Sequence, residues 1–167
     1  ERDARALGAK ETLATVMVDQ NELEDVQALF EAVLEGYEAL YGGEAPATLN
    51  AKGNLAVVLE KQGDLAGGRA LYQEVLEAQT ARLGPDHPDT LRTKFNLAIV
   101  MKKQGDLPGA REFYEAVAEA QTQQLGPRRA ETLLTKNNLA NVMKEQGDLA
   151  GARELWEAVA EAQTQQL

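Results

Sequence analysis

The sequence predicts an all-α protein, an α-solenoid built from four helix-turn-helix repeats, and three observations carry that expectation. The first is a period. The segment from Thr90 to Gly126 overlays Thr48 to Gly84 when shifted back by 42 residues, and Thr132 to the C-terminal end when shifted forward by 42. A third shift reaches the N-terminal segment. The second is apolar spacing within the unit. Leu91, Leu97, Ala98, Val100 and Met101 recur at helical intervals, Gly105, Asp106 and Leu107 interrupt them, and Ala110, Phe113, Tyr114, Val117 and Ala118 resume the pattern. The third is agreement between copies where packing demands it. Leu13, Leu55, Leu97 and Leu139 share a phase, each followed by an alanine small enough for close helix approach. Phe30, Tyr72, Tyr114 and Trp156 share another, with Val33, Val75, Val117 and Val159 one turn further on, which makes a seam along the second helix.

The repeats occupy approximately 5–43, 47–83, 89–125 and 131–167 of one array domain. The first diverges most, with Val26 where later copies hold a small residue and Asn21 where they hold Gly63, Gly105 and Gly147. That turn position suits a left-handed residue, which costs glycine nothing and asparagine little. A terminal repeat has one face without the usual neighbour, so divergence is expected there. The second repeat has adjacent glycines early in its second helix. Gly68 holds the close-contact phase of Ala110 and Ala152, whereas Gly67 shows no evident packing reason. In the connector Gly84 to Asp89, Pro88 suits the first position of the next helix and the acids suit a helix N-terminus. The next connector, Gly126 to Glu131, loses the second proline and exchanges acid for base. Repeats three and four share the string EAVAEAQTQQL, the mark of recent duplication or of repair of one copy from the other. No polar capping helix follows. The face of the last helix around Leu155 and Val159 is therefore expected to need covering, by further repeats or by another molecule.

These residues resemble the tetratricopeptide repeat (TPR), whose pattern sets Leu, a small residue and a large residue on the first helix and Ala and an aromatic on the second. Leu97, Ala98, Met101, Ala110 and Tyr114 fill those places here. The 42-residue length and the LGPDHPDT connector are similar to the long subtype of kinesin light chains and of STAND-type signalling ATPases. One departure stands out. Lys10, Lys52, Lys94 and Lys136 replace the large aromatic that opens the shorter motif. The resemblance implies a right-handed superhelix whose first helices line a concave groove, and a role in protein-protein interaction.

Composition removes other classes. A formal charge of −10 opposes non-specific binding to nucleic acid or to anionic membranes. The absence of cysteine excludes disulfides and thiolate metal sites and fits a reducing, cytoplasmic setting. No apolar run is long enough to span a bilayer, and the opening at Glu1 suggests a piece of a longer protein. His87 is the only histidine and reads as a turn residue, so no triad or histidine metal cluster forms around it. The glycines fall at turns with no GK[ST] after them, so no phosphate loop exists. No cofactor and no catalytic residue is expected.

What remains is the groove, whose positions follow from the resemblance by phase relative to the turn glycine. Repeat three supplies Arg92, Phe95, Asn96, Ile99, Lys102 and Lys103; repeat four supplies Leu134, Asn137, Asn138, Asn141, Lys144 and Glu145. From repeat two come Asn54, Glu60 and Lys61, and from repeat one Glu11 and Asp19. Asn54, Asn96 and Asn138 share a phase. Their amides could clamp an extended peptide backbone, or bond to neighbouring helices and hold the repeats in register. The groove carries a balance of +1 within a strongly acidic chain, and the Lys10, Lys52, Lys94 and Lys136 column beside it would raise this to +5. The expected ligand is thus an extended, acidic peptide with an apolar anchor, Phe95 and Ile99 offering the apolar patch. The alternative is a spacer or self-assembling segment that makes contact end to end through its uncapped last helix.

Overall fold

The computed structural model describes residues 2–19 and 23–164. The described residues form eight α-helices: α1 (Arg2–Asp19), α2 (Leu23–Tyr41), α3 (Pro46–Gln62), α4 (Leu65–Leu83), α5 (Pro88–Lys103), α6 (Leu107–Leu125), α7 (Ala130–Glu145) and α8 (Leu149–Thr164). They form an α-solenoid of helical hairpins. The chain divides into two compact units, Glu1–Ala78 and Gln79–Leu167, and the division falls inside α4.

Each later hairpin turn is made as the spacing predicts. Gly63, Gly105 and Gly147 adopt φ of 91°, 82° and 87°, the left-handed region that ends a helix at little cost only for glycine. Asn21, expected to serve the same purpose in the first repeat, lies outside the described residues. The second helix of each later hairpin is then started by an aspartate. The carboxylates of Asp64, Asp106 and Asp148 accept from the backbone N–H of Gly67, Gly109 and Gly151 at 2.9, 3.1 and 3.1 Å, satisfying a donor that the first turn leaves open.

This cap corrects the reading of Gly67. A Cβ there would collide with the Asp64 carboxylate, and at Gly109 and Gly151 it would collide with the capping aspartate and with the methyl of Met101 or Met143. Gly67, Gly109 and Gly151 form one column, at which an added Cβ would have to displace the tip of the capping aspartate. Gly68 has the packing role expected of it, since a Cβ would stand 3.2 Å from the carbonyl oxygen of Ala56. The first helices begin on prolines where the sequence allows. Pro46 opens α3 and Pro88 opens α5, where His87 is the N-cap and its Nδ1 accepts from the Asp89 N–H at 3.2 Å.

In the first unit, Ala14, Val26, Phe30, Leu55 and Val58 form a buried cluster, so the second helix of repeat one packs on the first helix of repeat two. Leu7, Val33, Tyr37 and Ala51 form another. In the second unit Leu97, Val100, Tyr114, Val117, Leu139 and Val142 are buried. Each such side chain contributes about 1.5–3 kcal/mol on burial.

Two positions depart from the repeat pattern. Leu13 is 54% exposed, although Leu55, Leu97 and Leu139 at its phase are buried. The outer face of α1 lacks the second helix that covers α3 in the same unit. At the other end Val159 is buried, and the expectation that it lies on an uncovered face is corrected. Val159 shares the inward side of α8 with Ala152, whereas Trp156 is only half-buried although Phe30, Tyr72 and Tyr114 at its phase are fully enclosed. The bare face of α8 is built around Trp156.

Candidate functional site

All twelve candidate groove residues keep access to solvent. Arg92, Lys103, Asn137, Lys144 and Lys61 are exposed, and Asn54, Phe95, Asn96, Ile99, Lys102, Asn138 and Asn141 are half-buried. This follows from helix geometry, since the buried stripe of each first helix runs through Leu97, Val100 and Met101, or Leu139, Val142 and Met143, and leaves these phases outward.

Within the second unit the structure gathers part of the set around one concavity of about 370 Å³. Arg92 and Phe95 from α5 and Leu134 from α7 line it, and Leu91, Pro88, Leu125 and Thr135 complete an apolar wall. Gln121 and Gln124 of α6 and Glu131 of α7 supply the polar rim. Phe95 is fixed in place. Its ring meets Tyr114 edge to face with centroids 5.5 Å apart, and it packs on Leu91, Val117 and Ala120. Gln121 is anchored by the buried Thr135 hydroxyl, which donates to it at 2.7 Å. Gln124 donates to the Asp86 carbonyl oxygen at 2.7 Å, tying the end of α6 to the connector before α5.

The α6 residues were not among the sequence candidates. A signal for them exists: Tyr41, Leu83 and Leu125 share a phase just before the connector, and all three are large, apolar and about half exposed. An apolar column that stays in water in three successive repeats marks a contact surface better than it marks a core.

The charges are more self-compensated than the sequence count implies. Lys102 pairs with Glu145 at 2.9 Å, joining two groove positions on α5 and α7. Arg92 pairs with Asp89 one turn earlier at 3.0 Å. Lys52, Lys94 and Lys136 do not join the groove, which corrects the expected balance of +5. Lys52 reaches Glu74 at 2.9 Å and Glu38 at 3.6 Å, carboxylates of the second helices α4 and α2, and the hydrogen bond to Glu74 raises its pKa. Lys94 donates to the Pro85 carbonyl oxygen, and Lys136 lines a recess with Pro127, Ala158 and Ala162. These lysines sit roughly 100° around the helix from Phe95 or its equivalents and face the second helices and the connectors.

The asparagine column splits. The Asn54 amide donates to Glu11 Oε1 at 3.0 Å while Tyr37 donates its hydroxyl to Glu11 Oε2 at 3.1 Å, so Asn54 joins repeat two to repeat one in the first unit. Burial, then the Glu11 hydrogen bond, push the Tyr37 hydroxyl pKa up. The phase of Glu11 is occupied later by Gly53 and Phe95, neither of which has an acceptor to repeat that bond. Lys61 lies exposed in the last turn of α3, in this first unit.

The profile of the tetratricopeptide repeat family matches residues 48–123 and 96–165, well over half of the sequence. The chain belongs to the tetratricopeptide repeat family. Among solved structures, this TPR array is similar to the nearly identical TPR-like repeats of a kinesin light chain-type protein of Podosopora anserina. The TM-score is 0.81 and the identity 24%, over 96% of this chain and 76% of that one. It is similar to BtubC (BKLC) of P. vanneervenii at a TM-score of 0.85 and 16% identity, covering 98% of this chain. The array spans 65% of the length of that protein. A Q17M form of the Podosopora repeats matches over 99% of this chain and 98% of its own, at 20% identity and a TM-score of 0.66. At such identities the likeness establishes the fold. A search of curated proteins by sequence returns no match. TPR repeats mediate protein-protein interaction and are typically scaffolds without enzymatic activity. Among the described residues no helix is long and apolar enough to cross a membrane.

Proposed function

We propose that this TPR array is a protein-interaction module whose second unit binds an extended, acidic peptide segment along α5 and α7, seating one apolar residue beside Phe95. The observation that supports this most is the concavity lined by Phe95, Leu91, Leu125 and Leu134 with Arg92 at its edge. It offers a rigid apolar floor for a side chain and a cation for a flanking carboxylate. Lys103 and Lys144 extend the cationic face along the same helices, while Asn96, Ile99, Asn137, Asn138 and Asn141 supply amides and one aliphatic contact. Rim charges of this kind govern association rate and selectivity more than affinity.

The test is binding of a library of extended peptides at low and high salt. Selective capture of acidic peptides, weakened by salt and by Phe95→Ala, is expected. Joint Lys102→Glu and Lys103→Glu substitution should abolish the preference for acid, and unchanged binding in that variant would refute the electrostatic part. Asn96→Ala with Asn138→Ala, checked for intact helicity, should lower affinity for all peptides alike if the amides hold backbone. Glu145→Gln frees Lys102 from its pair, and because an exposed pair is worth about 0.2–1 kcal/mol, affinity for acidic peptides should rise up to about fivefold.

A second reading, contact through the ends of the array, is supported by the exposed Leu13 and Val16 on α1 and the half-buried Trp156 on α8.

A further inference from the structure

We propose, resting on the reading that the concavity beside Phe95 seats an apolar side chain, that this pocket also selects the order of charges around that side chain. The segment it takes places a carboxylate toward Arg92 on α5 and one basic residue toward Glu131 on α7. What carries this is a carboxylate that lacks its cation. Arg92 and Glu131 both line the concavity. Asp89 and Glu131 hold the same phase of successive repeats, and so do Arg92 and Leu134. In repeat three the acid and the base lie three residues apart on one helix face, and Arg92 closes on Asp89 at 3.0 Å. In repeat four a leucine stands where that arginine would be. Glu131 therefore has no cation one turn on, and among the described residues its carboxylate makes no ion pair or hydrogen bond. The cations that precede it do not replace the lost partner. Arg129 is two residues away, a spacing at which helical side chains do not face each other, and Arg128 lines a different recess with Lys136 and Ala158.

The rest of the lining suits a peptide laid between the two charges. Leu91, Phe95 and Leu134 give the apolar floor. Gln121 accepts from the Thr135 hydroxyl at 2.7 Å and makes no other hydrogen bond among the described residues, so its amide N–H donors are left for a carbonyl group of the segment. A second carboxylate on the α7 side would meet Glu131, and like charges repel. The pocket thus disfavours there the same acid that it accepts beside Arg92, and an acidic partner fits best when a lysine or arginine interrupts its acidic run at that point. Arg92 and Glu131 are both exposed, so each discriminates by a few-fold and not by orders of magnitude.

The experiment uses the full chain and a set of peptides with one central leucine, flanked by aspartate on one side and by lysine, glutamine or glutamate on the other. Each is made in both orders, so that either chain direction is sampled. In one order the lysine peptide should bind up to about fivefold more tightly than the glutamine peptide, the glutamate peptide should bind least, and the differences should shrink at high salt. Glu131→Gln should erase that ranking, and Glu131→Lys should invert it. Leu134→Arg gives repeat four the acid-base spacing of repeat three, and it too should erase the ranking, whatever its effect on overall affinity. Helicity is recorded for every variant. Binding that is lost in Phe95→Ala but is indifferent to the varied flank overturns the charge order and leaves the pocket reading standing. So does a preference for lysine that persists in Glu131→Gln. No binding, or binding that Phe95→Ala does not weaken, overturns both.

Discussion

Leu97 and Leu13 occupy the same phase of the repeat, and truncating each to alanine separates what the motif prescribes from what packing delivers. Leu97 is 1% exposed and Leu13 is 54% exposed. Leu97→Ala removes three carbons from a filled interior and leaves a cavity that the flanking helices close only in part, a loss of about 2–5 kcal/mol. For a chain of this length each kcal/mol lowers Tm by roughly 2–4 °C, so a fall of about 4–20 °C is expected. Leu13→Ala removes a side chain already more than half in water and opens no closed cavity. Full burial of a leucine is worth about 1.5–3 kcal/mol, so the half-burial here sets the loss near 1 kcal/mol, or roughly 2–4 °C. Thermal melts followed by circular dichroism at low concentration, where end contact is dilute, measure both. Equal falls would refute the reasoning, because they would mean that α1 is covered in solution or that motif phase, not enclosure, sets the cost. Leu139→Ala, also in a buried site, should follow Leu97→Ala.

The remaining expectations concern backbone and titration. Gly53 lies inside α3 with open space where a Cβ would go, so Gly53→Ala should raise stability by up to about 1 kcal/mol; Gly147 holds φ of 87°, so Gly147→Ala should lower it by about 1–2 kcal/mol. Paired denaturant titrations check the opposite signs. The Tyr37 pKa is raised by burial and by Glu11, so its contribution to stability is intact below the ordinary tyrosine pKa of 10.0 and is lost as pH climbs through the higher folded value. Tyr37→Phe should therefore flatten the alkaline end of the stability profile above pH 10.0 while lowering stability at neutral pH through loss of the hydrogen bond to Glu11, and an unchanged alkaline slope would disprove the assignment.

Most of the fold was legible because its determinants are local and recur. A period of 42 residues, an aromatic-valine seam and a glycine at each later turn are consequences of helix geometry and left-handed backbone that any reader of the chain can count. The site was legible in part. Phase placed Arg92, Phe95 and Leu134 on one wall, but the α6 residues Gln121, Gln124 and Leu125 came to it from a helix whose other face is core, and only three-dimensional packing brings that end alongside α5. The charges were least legible. A count of lysines treats each as free, whereas Lys102 meets Glu145, a residue 43 positions away, and Lys52 meets Glu38 and Glu74.

By itself, then, the sequence determined the helices, their turns and their pairing into hairpins, because propensity, capping and apolar periodicity act within a few residues. Only tertiary structure decided which member of each repeated column is buried, bonded or bare. Asn54 is bonded to Glu11 because Glu11 exists in the preceding repeat alone, and Leu13 is bare while Leu97 is enclosed because enclosure is a property of neighbours. Position within a motif is inherited from the repeat; burial and partnership depend on what is stacked against it.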